Sequence, residues 1–334
     1  MLETIDLPGS GKATTRLGFG CSGLMGGLSE RESLRLLDTA FDAGIRHFDV
    51  APAYGHGRAE CCLGKFLRDK AGKVTVTTKY GILPPRQAGV LDIARQVARP
   101  LLRRLPGVRH RVAQAVAALK TKASFSAEEA QSSLDRSLRQ LGLDSVDLWL
   151  LHEATADDLD HSDLLEWLQK KQQQGKIRAY GVGTERQNLA ALWQRHRDYC
   201  PVLQFESSVV EDRPFFPGAL SIHHRTVSGA LGPIGEAFRR DPGLSRRWSN
   251  ELNVDLADAQ MLAALLLRTS LWRNLNGLVL FSSRIPAHIQ TNVHVAENPA
   301  WTSRAMHLLE LLDRESRPIN PPRLRTNIRS DHVP

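Results

Sequence analysis

Residues Ile45 to Gly55 read IRHFDVAPAYG. Ile45, Phe48 and Val50 make an apolar, strand-like run that carries the ionisable Asp49 to its end, and Pro52 and Gly55 then break the chain into a turn presenting Tyr54. On its own the stretch also admits an aspartate that caps a helix and an ordinary half-buried aromatic. Two later segments add to it. VTVTTK, residues Val74 to Lys79, is a β-branched run ending on an amine, and Val146 to Leu151 runs directly into His152. A lone histidine after DLWLL is by itself an ordinary core residue. Together, an acid, a phenol, an amine and an imidazole at strand ends form a set able to hold, tune and deliver a proton.

The elements that must position these groups alternate. Strands are expected to start near Leu17, Ile45, Val74, Val146, Ile177, Val202, Leu220 and Leu278, nearly all separated by helices. Ser29 with Glu32, and Ser126 with Glu129, have the spacing of helix N-terminal caps ahead of Leu34, Leu37 and Phe41 and of the helix ending at Leu141. Further helices are expected at Ala59 to Leu67, Leu164 to Gln172, Arg186 to Arg195, Leu256 to Trp272, Pro286 to Val295 and Trp301 to Leu312. Residues Ser207 to Ala219 are too short and proline-broken for a full helix, and Leu220 to Val227 is polar for a strand. Residues Glu3 to Leu17, broken by PGSGK, suggest a small hairpin ahead of the main fold.

This rhythm predicts an α/β fold, a single (β/α)8 TIM barrel with an N-terminal β-hairpin, a long insertion after the third strand and a C-terminal extension. A doubly wound sheet is the rival, but it collects Asp49, Lys79 and His152 from three strand ends less readily. The domain boundaries expected are 1–313 for the barrel, with a basic insertion at 81–122, and 314–334 for a proline-rich basic tail.

Composition narrows the class. A chain of 334 residues with 42% hydrophobic and 24% charged residues can bury one large core without staples. Cys21, Cys61, Cys62 and Cys200 show no metal-ligand spacing and no disulfide framework, so reduced thiols in the cytoplasm are expected, with no metal site. The N-terminus lacks a basic leader and an apolar segment, and the longest apolar run, Met261 to Leu267, is too short for a bilayer, which predicts neither export nor a membrane span. The net charge of +8 is concentrated in Arg86 to Lys122 and Arg314 to Arg329, and an anionic cofactor or a basic surface explains it without a nucleic-acid partner.

The segments LGFG, FDVAPAYG followed by AECCLGKFL, VTTKYG, SLRQLGLDSVDLWLLHE, IRAYGVG, VLQFE and FSSRIPAHIQTN occur in an order and spacing that resemble the aldo-keto reductase family, from about Leu17 to about Val295. The resemblance implies a catalytic tetrad of Asp49, Tyr54, Lys79 and His152, in which Tyr54 gives a proton to a carbonyl oxygen as hydride reaches its carbon. Tyrosine has an ordinary pKa of about 10, and a nearby cation is expected to lower it by roughly 1 to 3 units. Lys79 would be that cation, Asp49 would orient it, and His152 would hydrogen-bond the same oxygen.

The same resemblance implies a nicotinamide cofactor, since no side chain donates hydride. Gly20, Cys21 and Ser22 match the loop beside the nicotinamide ribose, and Gln204 matches the residue that bonds the nicotinamide amide. Ser282, Ser283, Arg284, His288 and Asn292 match the segment that holds the adenine end. A guanidinium with two hydroxyls at a helix start suits a phosphate, which favours NADP(H) over the alternative NAD(H). Two positions depart from the family pattern. Gly183 and Thr184 replace the usual serine and asparagine, so one amide contact is weakened or moved to Thr184, and His223 or His224 replaces an aromatic that stacks on the nicotinamide.

The implied activity is an NADP(H)-dependent oxidoreductase interconverting a carbonyl (aldehyde or ketone) and an alcohol, with a small-molecule substrate. A non-catalytic or weakly catalytic nicotinamide-binding subunit on the same fold is the other class. The insertion carries Arg95, Arg99 and Arg103 on one face and Ile93, Val97, Leu101 and Leu105 on another, as a helix packed on the barrel or a surface-binding element would.

Overall fold

The computed structural model describes residues 1–83, 121–160 and 162–315. The arginine-bearing face of the insertion and the tail beyond residue 315 lie outside them.

The N-terminal hairpin forms as expected, from β1 (Thr4–Asp6) and β2 (Ala13–Thr15), paired antiparallel. Eight parallel strands then close a barrel. They are β3 (Leu17–Gly20), β4 (His47–Asp49), β5 (Thr75–Tyr80), β8 (Val146–His152), β9 (Ile177–Gly183), β10 (Val202–Glu206), β11 (Leu220–His224) and β12 (Gly277–Phe281). Ring closure is made by β12 against β3, with Phe281 opposite Phe19. Between β5 and β8, the short strands β6 (Ile82–Leu83) and β7 (Thr121–Lys122) pair antiparallel, so the insertion leaves and rejoins the barrel as a two-stranded ribbon.

Strand side chains alternate between two faces, and the two faces bury different cores. Leu148, Leu150, Ala179, Val202, Leu220, Ile222, Leu278 and Leu280 fill the inside of the barrel with Leu7 from the hairpin. Phe19, Phe48, Val76, Trp149, Leu151, Val182, Leu203 and Phe205 pack outward under the surrounding helices. The polar β11 is a real strand because Leu220 and Ile222 point inward while flanking strands supply its hydrogen bonds.

The helices start where capping chemistry puts them. Helix α1 (Glu30–Asp42) opens with a complete capping box between Ser29 and Glu32. Helix α2 spans Ala59–Leu67, and α3 (Ala127–Leu141) is capped by Ser126, which accepts from the Glu129 amide at 3.3 Å. Helix α4 (Ser162–Gln173) follows β8, and the expected Arg186 to Arg195 helix is a 3-10 turn leading into α5 (Leu189–Arg195).

No helix forms between Glu206 and Leu220. Instead α6 (Ser228–Arg240) and α7 (Pro242–Leu252), which sequence patterning did not reveal, follow β11. The glycines of SGALGPIG and Pro233 inside α6 disguise it. Burial overrides those propensities: Ala230, Ile234 and Ala237 pack with Trp248, Leu252, Leu265 and Leu308 in a separate helical core. Helices α8 (Ala259–Arg273), α9 (Pro286–Glu297) and α10 (Ala300–Arg314) complete the described chain.

No helix among the described residues is long and apolar enough to cross a membrane, and no described His, Cys, Asp and Glu group could hold a metal ion. All four cysteines are free thiols.

Candidate active site

Asp49 ends β4, Lys79 is the penultimate residue of β5 and His152 ends β8, so the barrel brings their side chains to one mouth. Tyr54 reaches the same place through a tight turn. Its amide bonds the Ala51 carbonyl at 3.0 Å, and Gly55 and His56 take left-handed φ values of 57°. Glycine is required at 55 because a Cβ would sit 2.5 Å from the Leu24 carbonyl oxygen. The AYG triplet thus folds Tyr54 back over the strand that carries Asp49.

The Lys79 ammonium has three N–H donors, and two of them are bonded to acceptors beside it. It donates to Asp49 Oδ1 at 2.5 Å and to the Val50 carbonyl at 3.1 Å, and its charge acts on the neighbouring Tyr54 phenol. Asp49 and Lys79 are fully enclosed, whereas Tyr54 is half-buried, its ring 5.1 Å from Lys79 Nζ. The His152 ring meets the Tyr54 ring edge-on, with centroids 5.9 Å apart. A carbonyl oxygen placed against the phenol would therefore lie beside the imidazole as well.

The electrostatics correct one expectation. Burial raises the Tyr54 phenol above its ordinary value, and the opposing pull of Lys79 does not overcome it. Burial likewise draws Lys79 down, but Asp49 and then Tyr54 carry it above the usual lysine range. The pair therefore consists of a firmly charged ammonium and a firmly protonated phenol, a proton donor whose conjugate base has a cation waiting beside it.

The residues expected at a cofactor gather on two sides of this mouth. On one side, β3 and β12 are neighbours. Gly20 leads into a 3-10 turn holding Cys21 and Ser22, and Ser282 Oγ donates to the Gly20 carbonyl at 2.6 Å. Ser283 Oγ accepts from the Ile285 amide at 3.1 Å, just ahead of the α9 N-terminus. The exposed Arg284 lies over the glycine-rich loop, its guanidinium 3.7 Å from where a Cβ on Gly27 would stand. His288 is half-buried on α9. Asn292 is buried, and its Oδ1 finds no hydrogen-bond partner among the described residues. A buried acceptor without a donor, a helix start and an exposed guanidinium suit an anionic, amine-bearing group.

On the other side stand Thr184, Gln204 and His224. The Thr184 hydroxyl donates to the Ala154 carbonyl at 2.7 Å and accepts from Asn188 at 3.1 Å, so its donor is already used. Gln204 donates to Asp49 Oδ2 at 2.8 Å. Of the two histidines weighed for the seventh barrel strand, His223 packs outward on Phe205, with centroids 4.9 Å apart. His224 follows the inward register of Leu220 and Ile222; burial holds it at about 4, and the charges of Asp49 and Lys79 both act on it.

Two features escaped the sequence reading. His47 lies directly below Asp49, bonded to Thr75 at 2.9 Å and Thr77 at 3.1 Å, and it is fully buried. The period-two spacing of 47 and 49 on one strand was the available signal. The Gln204 bond to Asp49 joins residues 155 positions apart and has no local signature.

The sequence profile of the Aldo/keto reductase family matches residues 16–213, more than half of the chain. The chain belongs to this family. Among its aldo-keto reductase relatives, D-threo-aldose 1-dehydrogenase of Pseudomonas sp is 32% identical over 185 residues, which cover 52% of this chain and 51% of that protein. The chain thus spans about half the length of that relative. An aldo-keto reductase of Mycolicibacterium vanbaalenii is 28% identical over 88% of both chains. The solved aldo-keto reductase of Klebsiella pneumoniae in complex with NADPH shares the fold at a TM-score of 0.60, with 20% identity and 98% of each chain covered.

Proposed function

We propose that this aldo-keto reductase interconverts a carbonyl (aldehyde or ketone) and an alcohol using NADP(H), with Tyr54 as the general acid and base. The observation that carries the reading is the junction at Lys79, which is bonded to Asp49 and Val50 with its ammonium 5.1 Å from the Tyr54 ring inside the barrel mouth. In the reductive direction Tyr54 gives its proton to the carbonyl oxygen, and Lys79 stabilises the phenolate left behind. In the oxidative direction the phenolate takes the proton back. His152, edge-on to Tyr54, fixes the oxygen between them. Positioned proton transfer of this kind contributes about 100- to 10,000-fold.

The residues present fit the cofactor. Asn292 Oδ1 offers an acceptor to an adenine amine, Arg284 and the start of α9 offer charge and N–H groups to a phosphate, and Gly20 to Ser22 offer close backbone approach. Bound there, the nicotinamide supplies or takes the hydride. NADPH is named in the structure of the Klebsiella relative, which supports the choice of phosphorylated cofactor. Residues 1–313 form the enzyme body in this reading, with 81–122 a basic insertion and 314–334 a tail. Four free thiols support a cytoplasmic location.

The test is Tyr54→Phe, assayed by NADPH oxidation across aldehydes and ketones and by NADP+ reduction with aldoses, chosen because of the Pseudomonas relative. Turnover should fall by about 100- to 10,000-fold while NADPH still quenches protein fluorescence. Retained turnover removes Tyr54 from the role.

A further inference from the structure

Gln204 stands where the family resemblance puts a nicotinamide contact, and its geometry gives it a second task. Its Nε2 donates to Asp49 Oδ2 at 2.8 Å, while Asp49 Oδ1 accepts from Lys79 at 2.5 Å. Each carboxylate oxygen is held by a different donor. Gln204, Asp49 and Lys79 are 4%, 3% and 1% exposed, so water does not compete for these bonds. The amide orientation follows from its partner: with nitrogen and oxygen exchanged, two acceptors would face each other. Gln204 Oε1 then lies toward Gly183, where an added Cβ would come within 3.2 Å of it. The missing side chain at 183 leaves the amide its room.

We propose that Gln204 is a positioning residue that acts through Asp49 on the Lys79 and Tyr54 pair; this rests on Tyr54 being the acid described above. Without a donor on Oδ2, the Asp49 carboxylate is free to turn both oxygens onto the ammonium. Lys79 has only three N–H groups, so a second one spent on Asp49 is withdrawn from Val50 or Tyr54. Gln204 keeps Asp49 single-handed on Lys79 and so leaves the third N–H for the phenol. Its Oε1 remains an acceptor for the amide of a bound nicotinamide. One side chain therefore links the cofactor to the proton donor.

The experiment titrates Tyr54 in the protein without added cofactor, by phenolate absorbance. Each protein is measured against its Tyr54→Phe counterpart, which removes Tyr80, Tyr180 and Tyr199 from the signal. Gln204→Met keeps the volume and loses the donor, and Gln204→Asn keeps the amide but stops short of Asp49. Both should raise the Tyr54 titration by about one unit and shift the pH profile of kcat/KM the same way. Both should also lower kcat by roughly 10- to 100-fold. In an Asp49→Asn background the two substitutions should no longer move the titration or the profile. A purely structural role would lower the folded fraction without moving either. If NADPH binding weakens while titration and profile stay in place, Gln204 serves the cofactor alone and the proposal is overturned. Turnover by Tyr54→Phe would instead sink the assignment of the acid, an outcome read without touching Gln204.

Discussion

Asp49 and Lys79 form an ion pair at 2.5 Å whose partners are both almost wholly withdrawn from solvent. Such a pair is held less by its own attraction than by the cost of breaking it, because removing one partner strands the other charge. Lys79→Met should therefore cost about 3 to 5 kcal/mol of stability in denaturant unfolding. It should also abolish measurable turnover, since the phenolate loses its cation. A variant of native stability would show that Asp49 is satisfied by Gln204 alone.

Arg284 lies exposed over the glycine-rich loop beside the start of α9. If it meets the phosphate that distinguishes NADPH, Arg284→Met should weaken NADPH by about 10- to 100-fold, the worth of a charged hydrogen bond, and leave NADH nearly unchanged. Equal losses for both cofactors in fluorescence titrations would place the guanidinium elsewhere.

Thr184 ties the ends of two loops through Ala154 and Asn188. Thr184→Val should cost about 1 kcal/mol or somewhat more in stability, by stranding the Ala154 carbonyl. Its effect on NADPH affinity should be smaller than that of Asn292→Leu, because the Asn292 acceptor has no competing partner among the described residues.

His47 is held at about 4, below its ordinary 6.5, chiefly by burial. Between those two values the unfolded chain binds a proton that the folded one refuses, so stability rises with pH through this window and is lost as pH falls. A shift of this size corresponds to about 3 kcal/mol once pH drops below the folded value. His47→Gln, which can still bond Thr75 and Thr77, should flatten the acid side of the stability profile measured by denaturant unfolding. An unchanged slope would assign the acid loss to His223 and His224, which burial also depresses, to about 3 and about 4.

Much of this was legible because it is local. Ser29 with Glu32 and Ser126 with Glu129 fix helix starts through bonds that span three residues. Strand ends carrying Asp49, Lys79 and His152 follow from apolar runs that stop at a charge or an imidazole. What failed was also physical: α6 carries Pro233 and three glycines and persists only because its buried face has Trp248 and Leu265 to pack against.

By itself the sequence determined which groups stand at the strand ends and that eight strands alternate with helices, since both are set by period and punctuation along the chain. Only the tertiary structure decided how those groups act on one another. Closure of the barrel places Gln204 on Asp49 across 155 residues, selects His224 over His223 for the mouth, and buries Tyr54 enough to hold its proton rather than release it. Burial and hydrogen-bond partners belong to the folded space around a residue, and no stretch of chain carries them alone.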